Sequence, residues 1–190
     1  MDAVEPGGLG TLGLRLRAGT CCGLRSSAAD QSCFTGPRTA TRGLSLIATQ
    51  DALDRTSGLA KFNFEVVVEE LGLLSIRLPL AGNTNHLGTM YAGALYSLAE
   101  FPVGSLYLQR ADSTMVPTLG ELCMRYHRPA LTDVTTTQRL SEEQWEAIEA
   151  GTRANGKYRF QRTCEVLDSN GDLVASATGT YFSLLLTDLG

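Results

Sequence analysis

The run from Leu87 to Leu108 carries a single charge, Glu100, and that constrains the fold more than any other feature of the chain. A helix over this run is apolar on nearly every face, so the rest of the chain has to wrap it. Thr89 is placed to cap its first turn through its hydroxyl. Pro102 predicts a bend near Glu100, because a proline ring displaces the carbonyl four residues back. The length also suits a membrane span, but a mid-run carboxylate, a proline and strand patterns on both sides argue for a buried helix and no transmembrane span.

Those flanking patterns are clear. Leu46, Ile47, Leu53 and Leu59 lie among polar residues and suggest a short helix within 44–59. Phe62, Phe64, Val66 and Val68 then alternate with mostly polar residues, the period of a half-buried strand. Gly72 supplies a turn, and Leu74, Ile76, Leu78 and Leu80 form a second strand that closes a hairpin, with Pro79 marking its exit. Beyond the helix, Leu122, Met124 and Tyr126 alternate until Pro129, and Thr135 to Gln138 read as the next strand. Ser141 and Gln144 form a capping box for a short helix that carries Trp145 and Ile148 and is expected to stop at Gly151. Tyr158, Phe160, Cys164 and Val166 make a fifth strand, and Asn170-Gly171 turns into a sixth over Leu173 to Leu185. Two strands, a long buried helix, then four strands describe an α+β domain whose antiparallel sheet curls round one helix.

At 190 residues the chain supports one sizeable core. Residues 1–43 hold five arginines, no lysine and three acids, a net charge of +2 against −6 for the remainder. With many small and hydroxylated residues and no sustained apolar period, 1–43 reads as an N-terminal extension to a domain over 44–190. Its arginine-rich composition fits either organelle targeting, to the mitochondrion, or a plain low-complexity extension of a cytoplasmic protein. The overall charge of −4 and the lack of a basic cluster exclude a nucleic-acid-backbone binder. Five cysteines with no C-x-x-C pair, and only His86 and His127 beside them, predict free thiols and no metal site.

The stretch Asn85-His86-Leu87-Gly88-Thr89-Met90-Tyr91-Ala92-Gly93-Ala94-Leu95-Tyr96-Ser97-Leu98-Ala99-Glu100 resembles the helix motif of hotdog-fold thioesterases, of the phenylacetyl-CoA-thioesterase and YiiD C-terminal types. The resemblance extends in element order from about Phe62 to Leu186. It implies a hotdog fold with five to six strands round the central helix, and a homodimer or higher homo-oligomer. It also implies a site in which Asn85 holds the attacking water or the thioester, the Gly93 N–H polarises the carbonyl, and Glu100 activates water, with His86, Thr89, Tyr91 and Ala92 around the substrate. Tyr91 stands where the phenylacetyl type has histidine, though an aromatic residue suits the YiiD type. Ala92 replaces a glycine, adding a methyl group where the thioester approaches.

These residue types suit thioester hydrolysis, with acyl-CoA or an acyl carrier protein as substrate. The reaction needs a polarised carbonyl and a deprotonated water, but no cofactor and no leaving-group acid, because a thiolate departs readily. Glu100 in an apolar helix has its pKa raised by desolvation, which makes it a better base near neutral pH. The competing expectation pairs Glu100 with an arginine such as Arg125 or Arg128 as an ordinary ion pair, or has it face solvent at a dimer edge. Two functional readings follow: an acyl-thioester hydrolase, or an inactive hotdog domain serving as accessory subunit of a larger complex, mitochondrial if 1–43 targets the chain there, with 1–43 as its docking arm.

Overall fold

A computed structural model describes residues 49–186, so the targeting and docking expectations for 1–43 lie outside the described residues. The elements run α1 (Thr49–Arg55), β1 (Glu65–Glu70), β2 (Leu73–Leu78), α2 (Ala92–Leu108), β3 (Met115–Tyr126), β4 (Val134–Arg139), α3 (Glu142–Asn155), β5 (Lys157–Asp168) and β6 (Leu173–Leu185). All six strands form one antiparallel sheet in the order β1-β2-β4-β5-β6-β3. The α+β architecture is therefore the expected one, with the sheet curled round α2.

The alternation in β2 sets that packing. Leu74, Ile76 and Leu78 are fully buried, and they meet the α2 face formed by Ala94, Leu95, Leu98, Ala99, Leu106 and Tyr107. Val134, Cys164, Val166, Val174 and Ala177 extend the same floor across β4, β5 and β6. Removing this apolar surface from water is the main favourable contribution to folding. The other side of α2, through Tyr96, Ser97, Glu100, Phe101 and Leu108, is only partly covered.

Several local expectations are corrected. Helix α2 begins at Ala92, with Tyr91 as N-cap and no side-chain cap, so Thr89 does not cap it. Residues before it form a loop instead, because Tyr91 N–H donates to Asn83 O (2.8 Å) and Met90 N–H to Ala130 O (2.9 Å). Pro102 lies inside the helix, as expected. The capping box is present as predicted, with Gln144 N–H donating to Ser141 Oγ (3.3 Å) and Ser141 N–H to Gln144 Oε1 (3.1 Å). Helix α3 nevertheless passes Gly151 and ends at Gly156, which has φ 72°. Gly151 is glycine for another reason: a Cβ there would lie 2.1 Å from the Tyr158 ring. Strand β3 starts at Met115, six residues before the alternation becomes visible at Glu121.

A buried hydroxyl chain ties α2, α3 and β6 together. Tyr107 Oη lies 2.5 Å from Ser183 Oγ, and Thr152 Oγ1 lies 2.6 Å from the same atom. Fixed groups of this kind hold the C-terminal half of α2 against the sheet, leaving its first turn to be set by the preceding loop.

Candidate active site

The first turn of α2 is positioned by two asparagines. Asn83 is buried, and its Nδ2 donates to Phe62 O (2.7 Å) and Pro79 O (2.8 Å). With its own carbonyl taking the Tyr91 N–H, Asn83 joins the end of β2 to the start of the helix. Sequence reasoning assigned Asn83 no role. Its signal was its place at the head of the loop, between a strand-ending proline and the helix.

Asn85 shapes the remainder of that loop. Its Oδ1 accepts from Leu87 N–H (2.8 Å) and Thr89 N–H (3.2 Å), while Nδ2 donates to Thr89 Oγ1 (2.9 Å). Both ends of the amide are thus engaged in the loop, and the turn is completed by Gly88 at φ 76°. Asn85 is half-buried and Thr89 serves as its partner, whereas His86 projects into solvent.

Ala92 and Gly93 open the helix. Ala94 and Leu95 N–H both donate to Tyr91 O (3.0 and 3.2 Å), while the Ala92 and Gly93 N–H groups have no acceptor among the described residues. Such first-turn donors, aligned with the helix dipole, suit a carbonyl oxygen that becomes negative during reaction. Tyr91 covers one side of them. A Cβ built on Gly93 would fall 2.4 Å from Tyr91 Cε1 and 2.9 Å from its hydroxyl, so the ring occupies the side-chain space that glycine leaves empty. Tyr126 donates from its hydroxyl to Ala92 O (3.2 Å). Its phenol is pushed up by burial first and by neighbouring Tyr96 and Tyr91 next.

Glu100 lies seven residues further along, on the same helical face and about 10 Å up the axis. It is partly buried, and desolvation alone raises its pKa above the ordinary carboxylate value. Among the described residues it forms no ion pair: Arg128 instead binds Asp168 (3.1 Å) and Asp172 (2.9 Å), and no carboxylate partner is found for Arg125. The ion-pair explanation for Glu100 therefore fails within the described chain. Tyr181 reaches the Glu100 backbone carbonyl at 3.5 Å. Its phenol is pushed up by burial first and by the negative charge of the Glu100 carboxylate next.

No group of three or more His, Cys, Asp or Glu among the described residues is arranged to hold a metal. No helix there is long and apolar enough to cross a membrane.

In fold, the chain is similar to known proteins. A family profile described as a domain of unknown function, DUF4442, matches residues 72–182. A solved structure from Pseudomonas aeruginosa, described as of unknown function and a probable thioesterase, is 31% identical with a TM-score of 0.70, over 75% of this chain and 97% of that one. A thioesterase from Haemophilus influenzae shares the fold at 12% identity and a TM-score of 0.58, over 76% of this chain and 94% of its own. A thioesterase family protein from Silicibacter pomeroyi does so at 14% identity and 0.56, over 72% and 96%. No curated protein sequence matches the chain. An antiparallel sheet in this strand order round a central helix, with that family match across β2 to β6, means that the chain belongs to the DUF4442 family, within the thioesterase-like hotdog superfamily.

Proposed function

We propose that this protein hydrolyses acyl thioesters carried on coenzyme A or on an acyl carrier protein. The observation that carries the reading is Glu100, a desolvated carboxylate without an ion-pair partner among the described residues, on the helix whose first turn presents the Gly93 N–H. In the reaction, Glu100 takes a proton from water while the oxygen attacks the thioester carbon. The Gly93 N–H holds the resulting oxyanion. The C–S bond then breaks and the thiolate leaves, needing no acid because thiols ionise at about 8.5. The products are a carboxylic acid and a free thiol, and Glu100 returns its proton to solvent or to the thiolate. Asn85 acts as a positioning residue, and Thr89 supports it.

The rise of about 10 Å between Gly93 and Glu100 favours a site made by two chains, each supplying one of the two groups. A homodimer fits this arrangement. Strand β3 lies at one end of the sheet, where the same strand of a second copy would extend the sheet and protect both edges.

One observation favours the accessory-subunit reading: the Tyr91 ring lies against Gly93. That ring fills the side-chain space of Gly93 and does not accept its N–H, so the donor stays available and the hydrolase reading stands as the stronger. Incubating the full chain with a panel of acyl-CoA esters tests it. Release of free thiol with at least one chain length is expected. Silence across the panel, together with a stoichiometric protein partner retained through 1–43, would support the accessory role instead.

A further inference from the structure

We infer that Tyr91 determines which acyl groups the site accepts, acting as a filter against branching next to the thioester carbonyl. This inference rests on the hydrolase reading and adds to it. The ring edge of Tyr91, from Cε1 through Cζ to the hydroxyl, lies 2.4 to 2.9 Å from where a Cβ of Gly93 would stand. There is accordingly no room for a methyl group on that side of the first turn while the ring stays in place. An acyl carbonyl bound to the Gly93 N–H brings its α-carbon into this neighbourhood. An unbranched acyl chain presents only hydrogens there, whereas an α-methyl substituent meets the ring.

The surroundings explain why the ring keeps this position. Tyr91 is the N-cap residue, with φ −67° and ψ 131°, and its backbone is fixed on both sides by bonds to Asn83, Ala94 and Leu95. The Tyr91 hydroxyl has no hydrogen-bond partner among the described residues, so ring volume, and not a polar contact, is what the side chain contributes. Tyr126 donates to Ala92 O, the residue next to Tyr91 in the chain (3.2 Å). A side chain held at its base but exposed along the ring makes a steric filter that yields to small groups and resists larger ones.

The test compares butyryl-CoA with isobutyryl-CoA as substrates for native protein, Tyr91→Phe and Tyr91→Ala. The native chain should prefer the unbranched ester. Tyr91→Phe should keep that preference, since the ring remains, and Tyr91→Ala should reduce the kcat/KM ratio at least tenfold by admitting the branched ester. An unchanged ratio in an active Tyr91→Ala protein overturns the filter and leaves the hydrolase reading intact. A Tyr91→Phe protein as altered as Tyr91→Ala also overturns it, making the hydroxyl the acting group. Absence of turnover in every variant, on these two esters and across the panel of chain lengths, overturns the hydrolase reading and the filter with it.

A thermal-unfolding cycle reports on the ring contact without any substrate. Gly93→Ala should raise Tm more in the Tyr91→Ala background than in the native one, because only in the native chain does the new methyl displace the ring. Equal shifts in both backgrounds would show that the ring does not occupy the Gly93 side-chain space, and would overturn the filter.

Discussion

Glu100→Gln is expected to lower thioester turnover by about two to four orders of magnitude, the usual contribution of a positioned general base. The substitution keeps the volume and the helix position and removes only the proton acceptor. Free-thiol release measures it, and circular dichroism checks that the fold survives. A loss under about threefold would remove Glu100 from the mechanism. The same carboxylate fixes the pH dependence. Its pKa is raised above 4.5 by burial, so activity should fall as pH drops through a value higher than that of an exposed glutamate.

The stability consequence has the opposite sign. Because the folded state binds the Glu100 proton more tightly than the unfolded state, the group's contribution is fully present below pH 4.5 and is lost as pH rises through the folded pKa. Glutamine does not titrate and loses nothing across that window. Glu100→Gln should therefore be the more thermally stable protein at neutral pH while being the less active one. Equal melting temperatures from pH 4 to 8 would show that the carboxylate is solvated.

Leu98→Ala is the second large effect, on stability. Leu98 is 1% exposed on the inner face of α2 and borders Phe64, Ile76 and Pro102, so its loss leaves a void between helix and sheet. A cost of about 2 to 5 kcal/mol is expected for such a truncation. For a domain of this size that is a fall in melting temperature of roughly 5 to 20 °C. Ser97→Ala, one residue away on the partly covered side, should change stability by no more than about 0.5 kcal/mol. Calorimetry on the two variants checks the orientation of the helix, and similar shifts for both would mean that the face was assigned wrongly.

The elements that could be read in the sequence are those specified locally. Strand β6 was legible end to end because Asn170-Gly171 starts it and its residues have strong β-propensity, and the Ser141–Gln144 capping box marked α3 for the same reason. Strand β3 was half hidden, since Pro117 and Gly120 interrupt its alternation. Pro117 is tolerated because β3 lies at the end of the sheet, and Gly120 is required because a Cβ there would meet the Phe182 ring at 2.5 Å. Neither reason is visible without the partner strand. The start of α2 was misplaced because Thr89 has the chemistry of a cap, whereas Asn83 and Ala130, distant or unremarkable in sequence, hold the backbone extended until Tyr91.

The site was legible to a similar degree. Glu100 was conspicuous as the only charge in its run, and its isolation from arginine follows from Arg128 being occupied by Asp168 and Asp172. Tyr91 was visible as a departure from the phenylacetyl-type motif. That its ring fills the space over Gly93 was not, because a rotamer is not written in a residue's identity.

Turnover by a site assembled from Gly93 of one chain and Glu100 of another is tested directly by mixed dimers. Gly93→Pro removes the N–H within the first turn, where proline is best tolerated in a helix. Paired with Glu100→Ala by co-expression, neither variant should be active alone. In random pairing half of the dimers are mixed and each carries one intact site, so the account predicts that about a quarter of native turnover returns. Two inactive variants whose mixture stays inactive, although mixed dimers are isolated, would contradict it.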